Sequence, residues 1–122
     1  LLFGPVPRNH ALACQEVFGP VLSAIAFKDE EDAVRLANAT EYGLAAYVWT
    51  SDLTRAHRVA HAIETGMCWI NCYKRVHPGS PFGGVGMSGY GREMGFEAMH
   101  DYTEAKSVWV NVDAKIPPFY AR

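Results

Sequence analysis

The 122-residue sequence predicts an α/β fold: a parallel βαβαβ layer with covering helices, followed by one further strand. Three observations carry this reading. Apolar runs of strand length stand at residues 21–27, 44–50 and 67–72, a helix-periodic segment fills each interval between them, and the connections are only a few residues long. Strands alternating with helices at that spacing form parallel sheets through right-handed crossovers.

The first run, VLSAIAF at 21–27, leads into a helix start. Asp29 can accept from the free amides of a first turn, and the acidic cluster Asp29-Glu30-Glu31-Asp32 complements the positive end of the helix dipole. Ala33, Val34, Leu36 and Ala37 give the apolar stripe, with Tyr42-Gly43 as the expected stop. The second run is LAAYVWT at 44–50. Ser51 or Asp52 then caps a helix that sets Leu53, Ala56, Val59, Ala60 and Ile63 on one face. Gly66 is expected at its C′ position, where glycine is favoured, and MCWINC at 67–72 is the third run. Residues 73–90 read as an irregular stretch rich in Gly, Pro and Ser. A helix is expected over about 91–102, with Phe96, Met99 and Tyr102 turned inward. In KSVWVNV at 106–112, Val108, Val110 and Val112 alternate with Ser107, Trp109 and Asn111, the pattern of a strand with two different faces. The tail 113–122, with Pro117-Pro118, Phe119 and Tyr120, reads as extended.

Composition narrows the function classes. A hydrophobic share of 49% with 12% aromatics is that of one globular domain, not of a disordered or collagenous chain. Eleven Lys and Arg against 13 Asp and Glu give a charge of −2, so neither a nucleic acid nor an anionic membrane surface is an expected partner. No apolar run approaches the roughly 20 residues needed to span a bilayer. The opening Leu1-Leu2-Phe3-Gly4-Pro5 lacks a secretory signal pattern, and the first Met is Met67, so the chain is expected to belong to something longer. Three cysteines, an odd number, argue against a disulfide framework. Cys68 and Cys72, four apart on one strand, would be about 13 Å from each other, beyond the reach of a bridge. A reducing, cytoplasmic location is the expectation.

Four motifs bear on chemistry. Gly84-Val85-Gly86-Met87-Ser88-Gly89 spells the dinucleotide fingerprint, yet His77-Pro78-Gly79-Ser80-Pro81-Phe82 before it cannot be the central strand that fingerprint requires. A tight loop using glycine's freedom at positive φ is the expected reading. His57 and His61 are four apart on a helix, a metal-compatible spacing without the surrounding pattern of a metalloenzyme, and no metal is expected. Glu16-Val17-Phe18-Gly19-Pro20 offers a carboxylate that can hold a diol beside an aromatic ring, but taken alone it reads better as a turn before the run at Val21. Cys72-Tyr73-Lys74-Arg75-Val76-His77-Pro78 places two cations and a titratable ring within four positions. An Arg fork can hold a carboxylate bidentately, and the competing reading is that Lys74 and Arg75 face solvent or a neighbouring subunit.

Five segments in order carry a resemblance. Glu16 to Val21, Ala37 to Ala46, Gly66 to Asn71, Pro81-Phe82-Gly83-Gly84 with Ser88 to Gly95, and Tyr102 to Lys106 resemble the C-terminal portion of the NAD(P)-dependent aldehyde dehydrogenases. The resemblance implies that Glu16 holds the hydroxyls of the nicotinamide ribose and that Phe18 packs beside the nicotinamide. It implies that residues 72–80, Arg75 and Val76 among them, line the aldehyde tunnel, and that Phe82 forms the pocket wall near the reacting carbon. It also implies NAD or NADP as cofactor, an aldehyde as substrate, and neighbouring subunits in a homodimer or homotetramer as partners. Residues 1–105 would be the last part of the catalytic domain, and 106–122 an oligomerisation strand with its tail. The family oxidises aldehydes to acids through a cysteine thiohemiacetal and thioester. Its nucleophilic cysteine, its water-activating glutamate and its Rossmann domain all precede the region resembled. Hence no catalytic residue is expected in this chain, and the chain alone should be inactive. Gly86, where relatives often carry Lys, is one departure from the pattern. The competing readings are a non-catalytic α/β assembly domain and a nucleotide binder built on the Gly84 to Gly89 loop.

Overall fold

The structure, a computed structural model, describes residues 1–112. Its best-formed unit is β4 (Ala45–Val48), α3 (Leu53–Ala62) and β5 (Met67–Ile70). β4 and β5 run parallel, in register from Ala45 opposite Met67 to Val48 opposite Ile70. Alternation of strand and helix thus produced the parallel pairing it predicts. α3 starts where Asp52 accepts a hydrogen bond from the Arg55 amide at 3.0 Å. α2 (Glu30–Ala37) starts the same way, with Asp29 accepting from the Asp32 amide at 2.9 Å. Both are side-chain caps of otherwise orphaned first-turn amides.

The α/β class holds, and among the described residues the strands fall into three two-stranded sheets. Of the 21–27 run only β2 (Leu22–Ser23) is laddered, and its partner is β1 (Leu2–Phe3), a parallel strand the sequence did not signal. The Ala24 amide donates to Phe3 and the Val6 amide to Ala24, so residues 1–6 occupy that edge. α1 (Ala11–Cys14) follows, capped by His10. β3 (Tyr42–Gly43) pairs antiparallel with β6 (Val85–Gly86).

Four expectations are corrected. Tyr42-Gly43 does not end α2, which stops at Ala37 with Asn38 as its cap. Gly66 is not the C′ residue of α3, which ends at Ala62. Glycine is needed at 66 because a Cβ there would sit 1.8 Å from the Gly83 carbonyl oxygen. The helix over 91–102 shrinks to α4 (Met99–Tyr102). Gly91, Met94 and Gly95 take positive φ values of 88°, 61° and 64°, which no α-helix accommodates. Phe96 and Tyr102 accordingly stay exposed, and Met99 is exposed as well. Finally, residues 106–112 join no ladder among the described residues. Their alternating pattern has no strand beside it there, and Val108, Trp109 and Val110 remain exposed. The expected extended tail, 113–122, lies outside the described residues.

Burial is sparse. Among the described residues Val6, Val48 and Ala56 are the buried hydrophobic side chains, with Val48 of β4 and Ala56 of α3 marking the centre of the parallel unit. Polar links do much of the rest. Arg58 grips Glu30 through two bonds of 2.6 and 2.8 Å, tying α3 to α2. The Asn38 amide donates to Ala62 and accepts from Glu64, so it joins the ends of both helices.

Candidate functional site

Asn71 turns the chain at the end of β5, with a φ of 51° that asparagine tolerates better than most residues. Its side chain accepts from the Thr50 amide at 2.9 Å and donates to the Thr50 carbonyl at 2.7 Å, closing the ends of β4 and β5. The loop that follows folds back over β5. The Trp69 indole donates to the Arg75 carbonyl at 2.7 Å, fixing the backbone at Arg75. A tight turn comes next, in which the Gly79 amide donates to His77 Nδ1 at 3.0 Å and the Ser80 amide to the His77 carbonyl at 2.9 Å. Phe82 and Glu93 exchange backbone hydrogen bonds of 2.6 and 2.7 Å, which sets the far wall.

These contacts enclose a cleft of about 220 Å³ lined by Cys68, Trp69, Arg75, Val76, His77 and Phe82, among others. Arg75, Val76 and Phe82, singled out from the sequence, therefore meet at one place. His77, the titratable ring of the same loop, shares it, and Cys68 and Trp69 join it without having been expected there. For Trp69 a signal did exist, because a half-buried indole needs an acceptor. Burial pushes the Cys68 thiol above its ordinary pKa, which keeps it protonated and a poor nucleophile. All three cysteines are free thiols.

Glu16 lies elsewhere. It lines a second cleft, of about 490 Å³, with Thr40, Tyr42, Thr65 and Ser88. The Glu16 carboxylate makes no hydrogen bond or ion pair among the described residues, and the Thr65 hydroxyl there is buried without a partner. Phe18 is set outward by a φ of 52° and is 93% exposed, lining neither cleft. The structure thus gathers the three loop residues and leaves Glu16 and Phe18 apart from them.

The glycine run is used structurally. β6 lies inside it, Gly86 has a φ of 60°, and a Cβ there would meet the Glu41 carbonyl oxygen at 2.5 Å. The Ser88 hydroxyl accepts from the Gly43 amide at 3.1 Å. No helix begins at this loop to receive a pyrophosphate. On α3, a ring nitrogen of His61 lies 2.7 Å from the His57 carbonyl oxygen. Among the described residues no group of three or more His, Cys, Asp or Glu is placed to hold a metal ion. No helix there is long and apolar enough to cross a membrane.

The sequence profile described as "Aldehyde dehydrogenase family" matches residues 1–108. The chain belongs to the aldehyde dehydrogenase family. This aldehyde dehydrogenase chain is 49% identical over 118 residues to the betaine aldehyde dehydrogenase of Cereibacter sphaeroides, covering 97% of the chain and 24% of that protein. PnpE from Pseudomonas sp. WBC-3 is similar in structure, with a TM-score of 0.85 and 63% identity over 94% of this chain and 24% of PnpE. The structure of PnpE in complex with nicotinamide adenine dinucleotide matches with a TM-score of 0.79 and 68% identity, over 88% of this chain and 22% of that one. The aldehyde dehydrogenase chain spans about a quarter of the length of the relatives it matches.

Proposed function

We propose that these residues are the C-terminal part of an enzyme that converts an aldehyde, water and NAD(P)+ into a carboxylate, NAD(P)H and two protons. The observation that carries the reading is family membership over residues 1–108. Residues 1–105 would complete the catalytic domain, and 106–122 would be the oligomerisation segment facing neighbouring subunits. The nucleophilic cysteine and the water-activating carboxylate would come from the preceding part of the enzyme, so the 122-residue chain alone catalyses nothing. Three free thiols support a reducing, cytoplasmic location.

Within this reading each cleft has a task. Arg75, Val76 and Phe82 bound the aldehyde. Glu16 holds the nicotinamide ribose, supported by its place in the lining of a cleft and by a carboxylate that makes no hydrogen bond or ion pair among the described residues and can accept from two hydroxyls. Phe18 offers an exposed ring to the nicotinamide. The residues here fit that end of a dinucleotide, and among the described residues the glycine loop opens no helix to cradle its phosphates. When bound, the dinucleotide supplies the hydride acceptor. The protein's contribution is position, since holding the ring within reach of the reacting carbon converts an encounter into an intramolecular step.

The test is production of the reduced cofactor, followed by its absorbance, in the full-length protein given a panel of aldehydes. In the same protein Glu16→Gln is expected to slow hydride transfer and raise the dinucleotide KM. Turnover and dinucleotide affinity both at the wild-type level would remove Glu16 from the cofactor site.

A further inference from the structure

We propose that the cleft between β5 and the 72–82 loop selects aldehydes bearing a carboxylate at the end remote from the carbonyl, with Arg75 as the carboxylate-binding residue. This rests on the reading of that cleft as the aldehyde pocket. Arg75 is the one formal charge among the lining residues, and no Asp or Glu lies among them to neutralise it. The four ion pairs among the described residues belong to Arg8, Arg35, Arg55 and Arg58. The Arg75 guanidinium has neither an ion pair nor a hydrogen bond there, so its five donors stand ready for a ligand.

The loop also separates the two adjacent cations. Lys74, at a φ of 46°, places its ammonium 5.5 Å from the centre of the Tyr73 ring and does not line the cleft. Arg75 does line it, on backbone held by the Trp69 indole. Around it Trp69, Val76 and Phe82 offer apolar walls to a carbon chain, and the volume of about 220 Å³ suits a short one. His77 accepts from Gly79 at Nδ1, so in its neutral form it carries its proton on Nε2 and adds a donor to the same lining. A guanidinium fork matches a carboxylate bidentately, whereas an ammonium meets it as a point charge.

The experiment compares kcat/KM for 4-oxobutanoate and butanal, equal in chain length, in the full-length enzyme and two variants. Arg75→Met is expected to lower the acid-to-neutral ratio more than tenfold, and Arg75→Lys to lower it less. An unchanged ratio in Arg75→Met overturns the proposal while leaving the enzyme an aldehyde dehydrogenase. A wild-type enzyme that oxidises no aldehyde of a wider panel overturns the underlying reading instead. Competition gives a readout that needs no variant. Butanedioate should inhibit butanal oxidation competitively and butanamide much less, and equal inhibition by the two counts against Arg75.

Discussion

Asp32 is the buried charged side chain of the described residues, and its surroundings account for that placement. Arg8 donates to it at 2.7 Å, the Lys28 amide at 3.1 Å, and Arg35 pairs with its second oxygen. Two cations and a backbone amide satisfy the carboxylate, which removes most of the reason for keeping a charge in water. The Arg8 hydrogen bond is the first cause, followed by the Lys28 amide and Arg35, that brings the Asp32 pKa down from 3.8 to about 2, against the opposing pull of burial. A folded-state pKa below the unfolded one means stability that is complete above about pH 4 and is lost as the pH falls towards 2. Urea midpoints measured from pH 2 to pH 7 should therefore fall on that acid limb in the wild type. Asp32→Asn should be less stable at neutral pH and flatter between pH 4 and 2. An equally steep acid limb in the variant would assign the acid sensitivity to other carboxylates.

At the scale of elements, the β4–α3–β5 unit was legible because local chemistry and tertiary pairing agree there. Apolar runs at strand length, Asp52 before a helical stripe and short connections all point to one answer. Legibility failed where a segment depends on a distant one. Gly66 looked like a helix stop, and only the passage of residue 83 beside it reveals a close-approach glycine. The helix over 91–102 had suitable spacing, but positive φ at Met94 was invisible in the sequence. The site divides along the same line. The loop residues Arg75, Val76 and Phe82 meet because turn-forming residues return the chain onto β5, whereas the turn pattern of residues 16–20 did not show that Phe18 itself would take the positive φ that sets its ring outward. Gly66 also yields a prediction about elements. Gly66→Ala should push the 83–84 segment away from β5, costing about 1–3 kcal/mol or more as overpacking against backbone that cannot collapse. Gly19→Ala is the control, since a Cβ there meets nothing within 4 Å. The denaturant midpoint of the first should drop with an unchanged slope, and the second should stay near the wild type. Similar midpoints for both would show that the Gly83 carbonyl yields easily.

The whole molecule exposes 10543 Å² of accessible surface. A compact monomer of 13.5 kDa is expected to expose about 6,500 Å² from the size scaling of folded proteins. The surplus, about 4,000 Å² on one chain, is more than one partner contributes to most obligate interfaces, which bury roughly 2,000–5,000 Å² counted over both sides. Much of it is apolar. Leu22, Phe27 and Trp49 are 65%, 61% and 67% exposed, and Val108, Trp109 and Val110 are 72%, 92% and 79% exposed. Phe27 and Trp49 line a trench of about 1010 Å³ together with Leu36 of α2 and Val59 of α3, apolar helix positions with too little above them. At about 25 cal/mol per Å², such a surface is a strong drive towards any partner that covers it. Two-stranded sheets add unpaired edges, which template further pairing. In the proposed full-length enzyme the preceding domains and neighbouring subunits would cover these faces. The 122-residue chain purified alone is therefore expected to associate, its light-scattering molar mass rising with concentration and its surface binding a hydrophobic dye. A monomer of 13.5 kDa at every concentration, with no dye binding, would mean that the chain repacks to hide this surface on its own.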